Sequence, residues 1–258
     1  MVGVHSTAIV APGAQLHPSV EVGPYAVIGP QVKVGEGTTI GPHAVVEGDT
    51  TLGKHNRIWQ FASVGAAPQD LKYQGEPTTL VVGDGNQIRE FTTLHRGTAG
   101  GGGVTRIGSQ NLFMAYSHVA HDCVVGSGCV LANSVALAGH VEISDHVILG
   151  GLAAVHQFTR VGRHAFVAAG SMVVMDVPPF CTVQGDRAEL AGLNTVGLTR
   201  HGFTPEQVAR VKEAYRVLFR SKLGLNEALT NLRAEFKGHP EIDLLLDFIA
   251  ASKRGLTR

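Results

Sequence analysis

With 258 residues and 44% hydrophobic content, the chain has apolar material for one large core or two modest ones, and a formal net charge of zero supplies no basic stripe for nucleic acid. Gly at 33 residues, aromatics at 6% and charged residues at 16% point to narrow interiors and tight turns rather than an ordinary α/β enzyme. Cys123, Cys129 and Cys181 are odd in number and lack CxxC spacing, so neither a disulfide framework nor a cysteine zinc site is expected, and a reducing compartment fits.

In chain order, Met1 to Ala14 shows no basic region followed by an apolar run, and nowhere do about 18 apolar residues follow one another. A soluble, cytoplasmic protein without stable membrane insertion is expected. An aliphatic ladder then begins, one residue at every sixth position: Val4, Val10, Leu16, Val22, Ile28 and onward to Val64. It resumes at Val82, Ile88 and Leu94, and again from Ile107 through Phe113, Val119 and Val125 to Val173. Gly commonly follows the ladder residue, supplying corners, and small residues often stand two places before it.

A period of six is neither helical nor that of an isolated strand. It fits a triangular prism in which each hexad gives one short strand and one corner, and three hexads close a coil. This is the hexapeptide parallel β-helix; known examples are left-handed, and the hand is taken from that resemblance because strand crossovers are otherwise right-handed. The expected fold is therefore mainly β, a left-handed parallel β-helix over residues 1–179. Two stretches, 66–80 and 96–106, break the ladder and are expected as expelled loops, the second holding four glycines from Gly100 to Gly103.

After Asp176-Val177-Pro178-Pro179 the pattern changes to helical. Thr204 with Pro205 and Gln207 reads as a capped helix start, with Val208, Val211, Tyr215, Leu218 and Phe219 as its apolar face. Further helices are expected around Asn226–Phe236 and Glu241–Lys253, giving a small α-helical C-terminal domain over 180–258 that closes the prism. This part carries 12 Lys+Arg against 9 Asp+Glu, the remainder the reverse, a mild asymmetry that suits an acidic protein partner.

Residues eighteen apart stand above one another on such a prism. His121, Gly139 and Gln157 share one phase, Asp122 and His140 the next, Ala138 and His156 the one before, with His118 on the same rung as His121. The cluster allows a zinc site, because imidazoles suit Zn²⁺. It equally allows general-base catalysis by His121, oriented by Asp122. Phase and spacing leave both open.

The strings Gln69-Asp70-Leu71-Lys72-Tyr73-Gln74-Gly75-Glu76-Pro77-Thr78, His95-Arg96-Gly97-Thr98, Ala120-His121-Asp122-Cys123, Leu137 to Val141, Ala154 to Phe158, Asp176 to Pro179 and Gln184-Gly185 closely resemble the acyl-ACP:UDP-N-acetylglucosamine O-acyltransferase family, which begins lipid A biosynthesis. The resemblance covers essentially the whole chain. It implies transfer of an (R)-3-hydroxyacyl group from acyl carrier protein to the sugar 3-hydroxyl, with no cofactor beyond the phosphopantetheine arm that carries the acyl group, and no metal. It implies His121 as general base, Asp122 as its orienting partner and the Gly139 N–H as oxyanion donor. It further implies substrate contacts from Gln69, Asp70, Lys72, His118, His140, His156, Gln157, Asn194 and Arg200.

By the same resemblance Phe166 and Ala169 are candidates for the acyl-chain groove, and the assembly is a homotrimer with sites between subunits. Val196 and Arg187 depart from the family pattern near the nucleotide. Arg210, Lys212, Arg216, Arg220 and Lys222 on the first long C-terminal helix could receive the acidic carrier protein. A γ-type carbonic anhydrase shares the ladder and histidines but has no use for the Gln69–Thr78 loop or the helical tail. A structural solenoid leaves the histidine cluster unexplained, and an N-acyltransferase later in the pathway needs an N-terminal uridine-binding domain where the hexads here start at Val4. A 3-amino sugar acceptor is the remaining variant.

Overall fold

The computed structural model describes residues 3–258, and it is a left-handed parallel β-helix followed by a helical unit. Two-residue strands alternate among three faces, which among the described residues hold nine, eight and ten strands. Register follows the eighteen-residue coil: Ile9 pairs with Val27, Leu16 with Val34 and Val130 with Ile148. Each ladder aliphatic points inward, and from Val22 to Val173 every one is buried. Val4 departs from this at 51% exposure, because among the described residues no coil lies beneath it.

The insertions can be measured from the register. Ser63 pairs with Thr93, thirty residues on instead of eighteen, so twelve residues are expelled, and these are 67–78. Thr93 pairs with His118, twenty-five residues on, so seven are expelled, 97–103. Both loops are shorter than the ladder gap suggests, because Thr79–Val82 and Val104–Ile107 form four-residue strands that pair in full, Thr79 with Val104 through Val82 with Ile107. β-Branched residues at these positions favour the extended backbone.

The third face also runs past Pro179. Cys181–Gln184 pairs in parallel with Phe166–Val167, and Glu189–Leu193 returns antiparallel to it, so the sheet continues into the segment expected to be helical. Four helices follow: α1 (Thr195–Arg200), α2 (Pro205–Arg220), α3 (Leu225–Glu235) and α4 (Pro240–Ala250). The Thr204 and Gln207 capping box at the start of α2 is formed in both directions. The helices share a second core around Val211, Leu232, Ile242 and Leu246, joined to the prism through Phe180. Among the described residues no helix is long and apolar enough to cross a membrane. All three cysteines are free and buried, and burial pushes the Cys123 and Cys129 thiols up to about 12, away from reactive thiolate chemistry.

Candidate active site

Three residues at successive levels of one corner, Asp122, His140 and Phe158, turn the chain with φ of 59°, 62° and 63°. Left-handed backbone at non-glycine residues costs roughly 1–2 kcal/mol each, so the corner is held by what its side chains do. The His140 ring stacks on Phe158 at 4.3 Å, and His121 stands edge-on to His140 at 5.2 Å.

Asp122 is the centre of the arrangement. Its side chain is 1% exposed, and its carboxylate accepts from Thr98 N at 2.9 Å, from Thr98 Oγ1 at 2.6 Å and from His121 Nδ1 at 2.8 Å, with His140 Nε2 at 3.8 Å. A carboxylate accepts only, so His121 carries its proton on Nδ1 and presents the Nε2 lone pair outward. That lone pair lies against the next coil. A Cβ placed on Gly139 would stand 2.7 Å from His121 Nε2 and 2.5 Å from Cε1, so only glycine admits the ring here. The Gly139 N–H donates to no acceptor among the described residues.

Sequence reasoning misses Thr98 and Gly101, although they lie in the His95–Thr98 string and the glycine run that follows it. Loop 97–103 folds over Asp122, and a Cβ on Gly101 would come within 2.1 Å of its carboxyl atoms. Glu76 in the other loop accepts from Ala99 N at 3.5 Å, tying the two insertions together. Hydrogen bonds from backbone N–H groups, that of Gln74 first, hold its carboxyl below the usual range.

His118 is half-buried and meets Thr93 Oγ1 at 2.7 Å. Burial, and then the neighbouring His121, lowers its pKa. Behind it His95 is 3% exposed, edge-on at 4.9 Å, and burial pushes it down to about 4. His156 meets the Gln157 carbonyl and Arg254, both at Nδ1.

The remaining candidates do not converge on His121 within one chain. Asp70 accepts from Lys72 N inside loop 67–78, and no hydrogen bond among the described residues ties Gln69, Asp70 or Lys72 to the histidines. Asn194 caps α1 by accepting from Gly197 N and donates to the His164 carbonyl, which places it and Arg200 by a different corner of the prism, beside His146 and His164. Phe166 lies half-buried on the third face, and Ala169 is exposed near the corner that carries Leu152. Val196 and Arg187 are exposed.

Donor atoms of His121, Asp122 and His140 lie within 4.8 Å of one another, a spacing a metal ion could use. A metal on Asp122 Oδ2 would compete with the Thr98 hydroxyl and His121 Nδ1, both already donating to that oxygen.

A family model described as UDP-N-acetylglucosamine O-acyltransferase, domain 2, matches residues 176–257, and one described as bacterial transferase hexapeptide matches 31–66 and 105–139. The acyl-[acyl-carrier-protein]–UDP-N-acetylglucosamine O-acyltransferase of Myxococcus xanthus is 68% identical over 258 residues, covering 100% of both chains. The crystal structure of UDP-N-acetylglucosamine O-acyltransferase from Moraxella catarrhalis superimposes with a TM-score of 0.96 at 46% identity, covering 99% of each chain. The Arabidopsis UDP-N-acetylglucosamine acyltransferase gives 0.86 at 37% identity, covering 99% of this chain and 100% of that one. Ladder and helical tail thus coincide over the full length with one enzyme family, and the chain belongs to the acyl-[acyl-carrier-protein]–UDP-N-acetylglucosamine O-acyltransferases.

Proposed function

We propose that this chain moves an (R)-3-hydroxyacyl group from the phosphopantetheine thioester of acyl carrier protein to the 3-hydroxyl of UDP-N-acetylglucosamine, the first step of lipid A biosynthesis, with His121 as general base. The observation that carries the reading is the Asp122–His121 pair: Nδ1–H is fixed on the carboxylate at 2.8 Å and Nε2 is free beside Gly139. His121 Nε2 takes the proton of the sugar hydroxyl as its oxygen attacks the thioester carbonyl. The Gly139 N–H, without another acceptor, stabilises the oxyanion of the tetrahedral intermediate. Collapse breaks the C–S bond, and the imidazolium returns its proton to the leaving thiolate. The buried Asp122 orients the ring and stabilises its charged form, and Thr98 and His140 hold Asp122.

His118, His140, His156 and Gln157 line the acceptor site in this reading, and Gln69, Asp70 and Lys72 reach donor or nucleotide. Asn194 and Arg200 sit by another corner, which supports a homotrimer in which a neighbouring copy brings them, with Arg200 toward the diphosphate. Phe166 and Ala169 would border the acyl chain between prisms. An exposed aromatic column, Tyr25, His43, Phe61, Phe91 and Tyr116, stacked at 4.9 to 5.3 Å, is apolar surface that association would cover.

For the carrier protein, Arg210 is held by Glu241 and Arg216 by Glu213, leaving Lys212 and Arg220 on α2 as the freer cations; Lys222, expected on the same helix, lies just past its end at Arg220. No metal or cofactor enters this scheme, and the reaction is placed in the cytoplasm, where both substrates would meet it. The test is an assay of UDP-N-acetylglucosamine and its 3-amino analogue against acyl carrier proteins of graded acyl length, with product mass read out. Transfer to the hydroxyl sugar supports the proposal, and transfer to the amine alone overturns it.

A further inference from the structure

Residues 252–257 are stitched to the last turn of the prism. Ser252 Oγ donates to Asp176 Oδ2 at 2.8 Å, Asp176 N to the Gly255 carbonyl at 3.0 Å and Thr257 N to the Asp176 carbonyl at 2.8 Å. The last turn is two residues short, Val161 pairing with Val177, so Asp176 stands over Arg160, just past the corner of Asp122, His140 and Phe158, and this segment borders the same cavity as that corner. From it Arg254 reaches across: Nε donates to the Val174 carbonyl at 2.7 Å, and Nη2 lies 2.8 Å from His156 Nδ1. Arg254 also helps line a cavity of about 820 Å³ shared with Asp122, His140 and Phe158.

His156 Nδ1 has a second neighbour, the Gln157 carbonyl at 3.1 Å, and the two contacts demand opposite things of it. Toward the carbonyl it would have to donate. Toward a guanidinium, which has five donors, no acceptor and a permanent proton, it can only accept. A donor facing a donor at 2.8 Å is the worse conflict, and a bond from a charged donor is about twice as strong as a neutral one, so the arginine decides.

We propose that Arg254 is a positioning residue that holds His156 as the neutral Nε2–H tautomer, making His156 a fixed hydrogen-bond donor to an oxygen of the acyl acceptor. Two histidines of one edge then carry opposite tautomers, each set by its partner. The carboxylate of Asp122 makes His121 a base at Nε2, and the guanidinium of Arg254 makes His156 a donor there. His156 is thereby kept from acting as a competing base. The substrate part of this inference rests on the acyl-transfer reading above; the tautomer part does not.

The test uses the full chain labelled with ¹⁵N-histidine. The His156→Gln variant assigns the ring signals, and long-range proton–nitrogen spectra are taken at about pH 8, where an ordinary histidine is neutral. The expected wild-type spectrum has a pyridine-like Nδ1 and a pyrrole-like Nε2. Arg254→Ala should move the proton toward Nδ1, facing the Gln157 carbonyl, and Arg254→Lys, which keeps a charged donor, should restore the wild-type pattern. Arg254→Ala should also raise KM for UDP-N-acetylglucosamine about tenfold, with kcat within about twofold, as loss of one oriented hydrogen bond implies. A wild-type His156 protonated at Nδ1 overturns the inference without any Arg254 variant having to fold, and so does an unchanged tautomer in Arg254→Ala. A wild-type enzyme inactive on UDP-N-acetylglucosamine would defeat the acyl-transfer reading, while the spectra still decide the tautomer.

Discussion

Replacing Gly139 by Ala tests the contact that joins the proposed base, His121, to the proposed oxyanion donor. The new methyl would stand 2.5 Å from His121 Cε1 and 2.7 Å from Nε2, against an ordinary contact of about 3.5 Å, so ring and backbone must separate by about 1 Å. Gly139 is not in the left-handed region, so alanine fits its backbone and keeps the N–H. What changes is the distance between the base and that donor. A misplacement of about 1 Å costs on the order of 100-fold in rate, and overpacking costs about 1–3 kcal/mol of stability. Steady-state assays should therefore show kcat down about 100-fold with KM changed far less, and calorimetry a melting temperature lower by a few degrees. A variant within about twofold of wild-type kcat would refute the placement of the reacting carbonyl between Gly139 and His121.

Asp122→Asn keeps the shape but can turn an N–H toward His121 Nδ1, reversing its tautomer; kcat should fall about 10³–10⁴-fold while the circular dichroism spectrum is unchanged, and a loss under tenfold would speak against the orienting role. Thr98→Val removes the hydroxyl that donates to Asp122 and keeps the backbone donor, so a kcat loss of about tenfold is expected in the same assay. His95 and His164 are both depressed to about 4, by burial first, so the folded state binds fewer protons than the unfolded one between about 6.5 and 4. Stability should fall as pH drops through that window, by up to about 1.4 kcal/mol per pH unit for each histidine. Urea midpoints measured from neutral pH downward should decline, and less so in His95→Gln. Dialysis against a strong chelator should leave activity intact; zinc at one ion per site, lost together with turnover, would favour a metal on His121, Asp122 and His140.

Repetition decides what the sequence makes visible. Counting by eighteen puts Gly139 beside His121 and His140 beside Asp122, and both contacts exist, because every intervening hexad is regular. The same counting is blind to Thr98 and Gly101, which sit in an insertion that has left the period. It is equally blind to Arg254, whose partner His156 lies 98 residues away in the chain and is brought near by the helical unit folding back. Ladder residues alone make both loops look longer than they are, because the strands Thr79–Val82 and Val104–Ile107 begin before their ladder residues do. α1 is only six residues long, too short for an apolar period, and its cap Asn194, a substrate contact only by the family resemblance, shows from sequence neither the cap it makes with Gly197 N nor its bond to the His164 carbonyl. Roles for the site residues follow only from the family resemblance, since the packed corner alone accommodates a base or a metal.

His121, proposed to take the acceptor's proton, is tested most directly by its removal. Wild type and His121→Ala, matched for oligomeric state and circular dichroism, should be assayed with UDP-N-acetylglucosamine and (R)-3-hydroxyacyl carrier protein, with product followed by mass. Wild type should form the 3-O-acyl sugar nucleotide and the variant should form none above background; a correctly folded His121→Ala that still turns over would contradict the account.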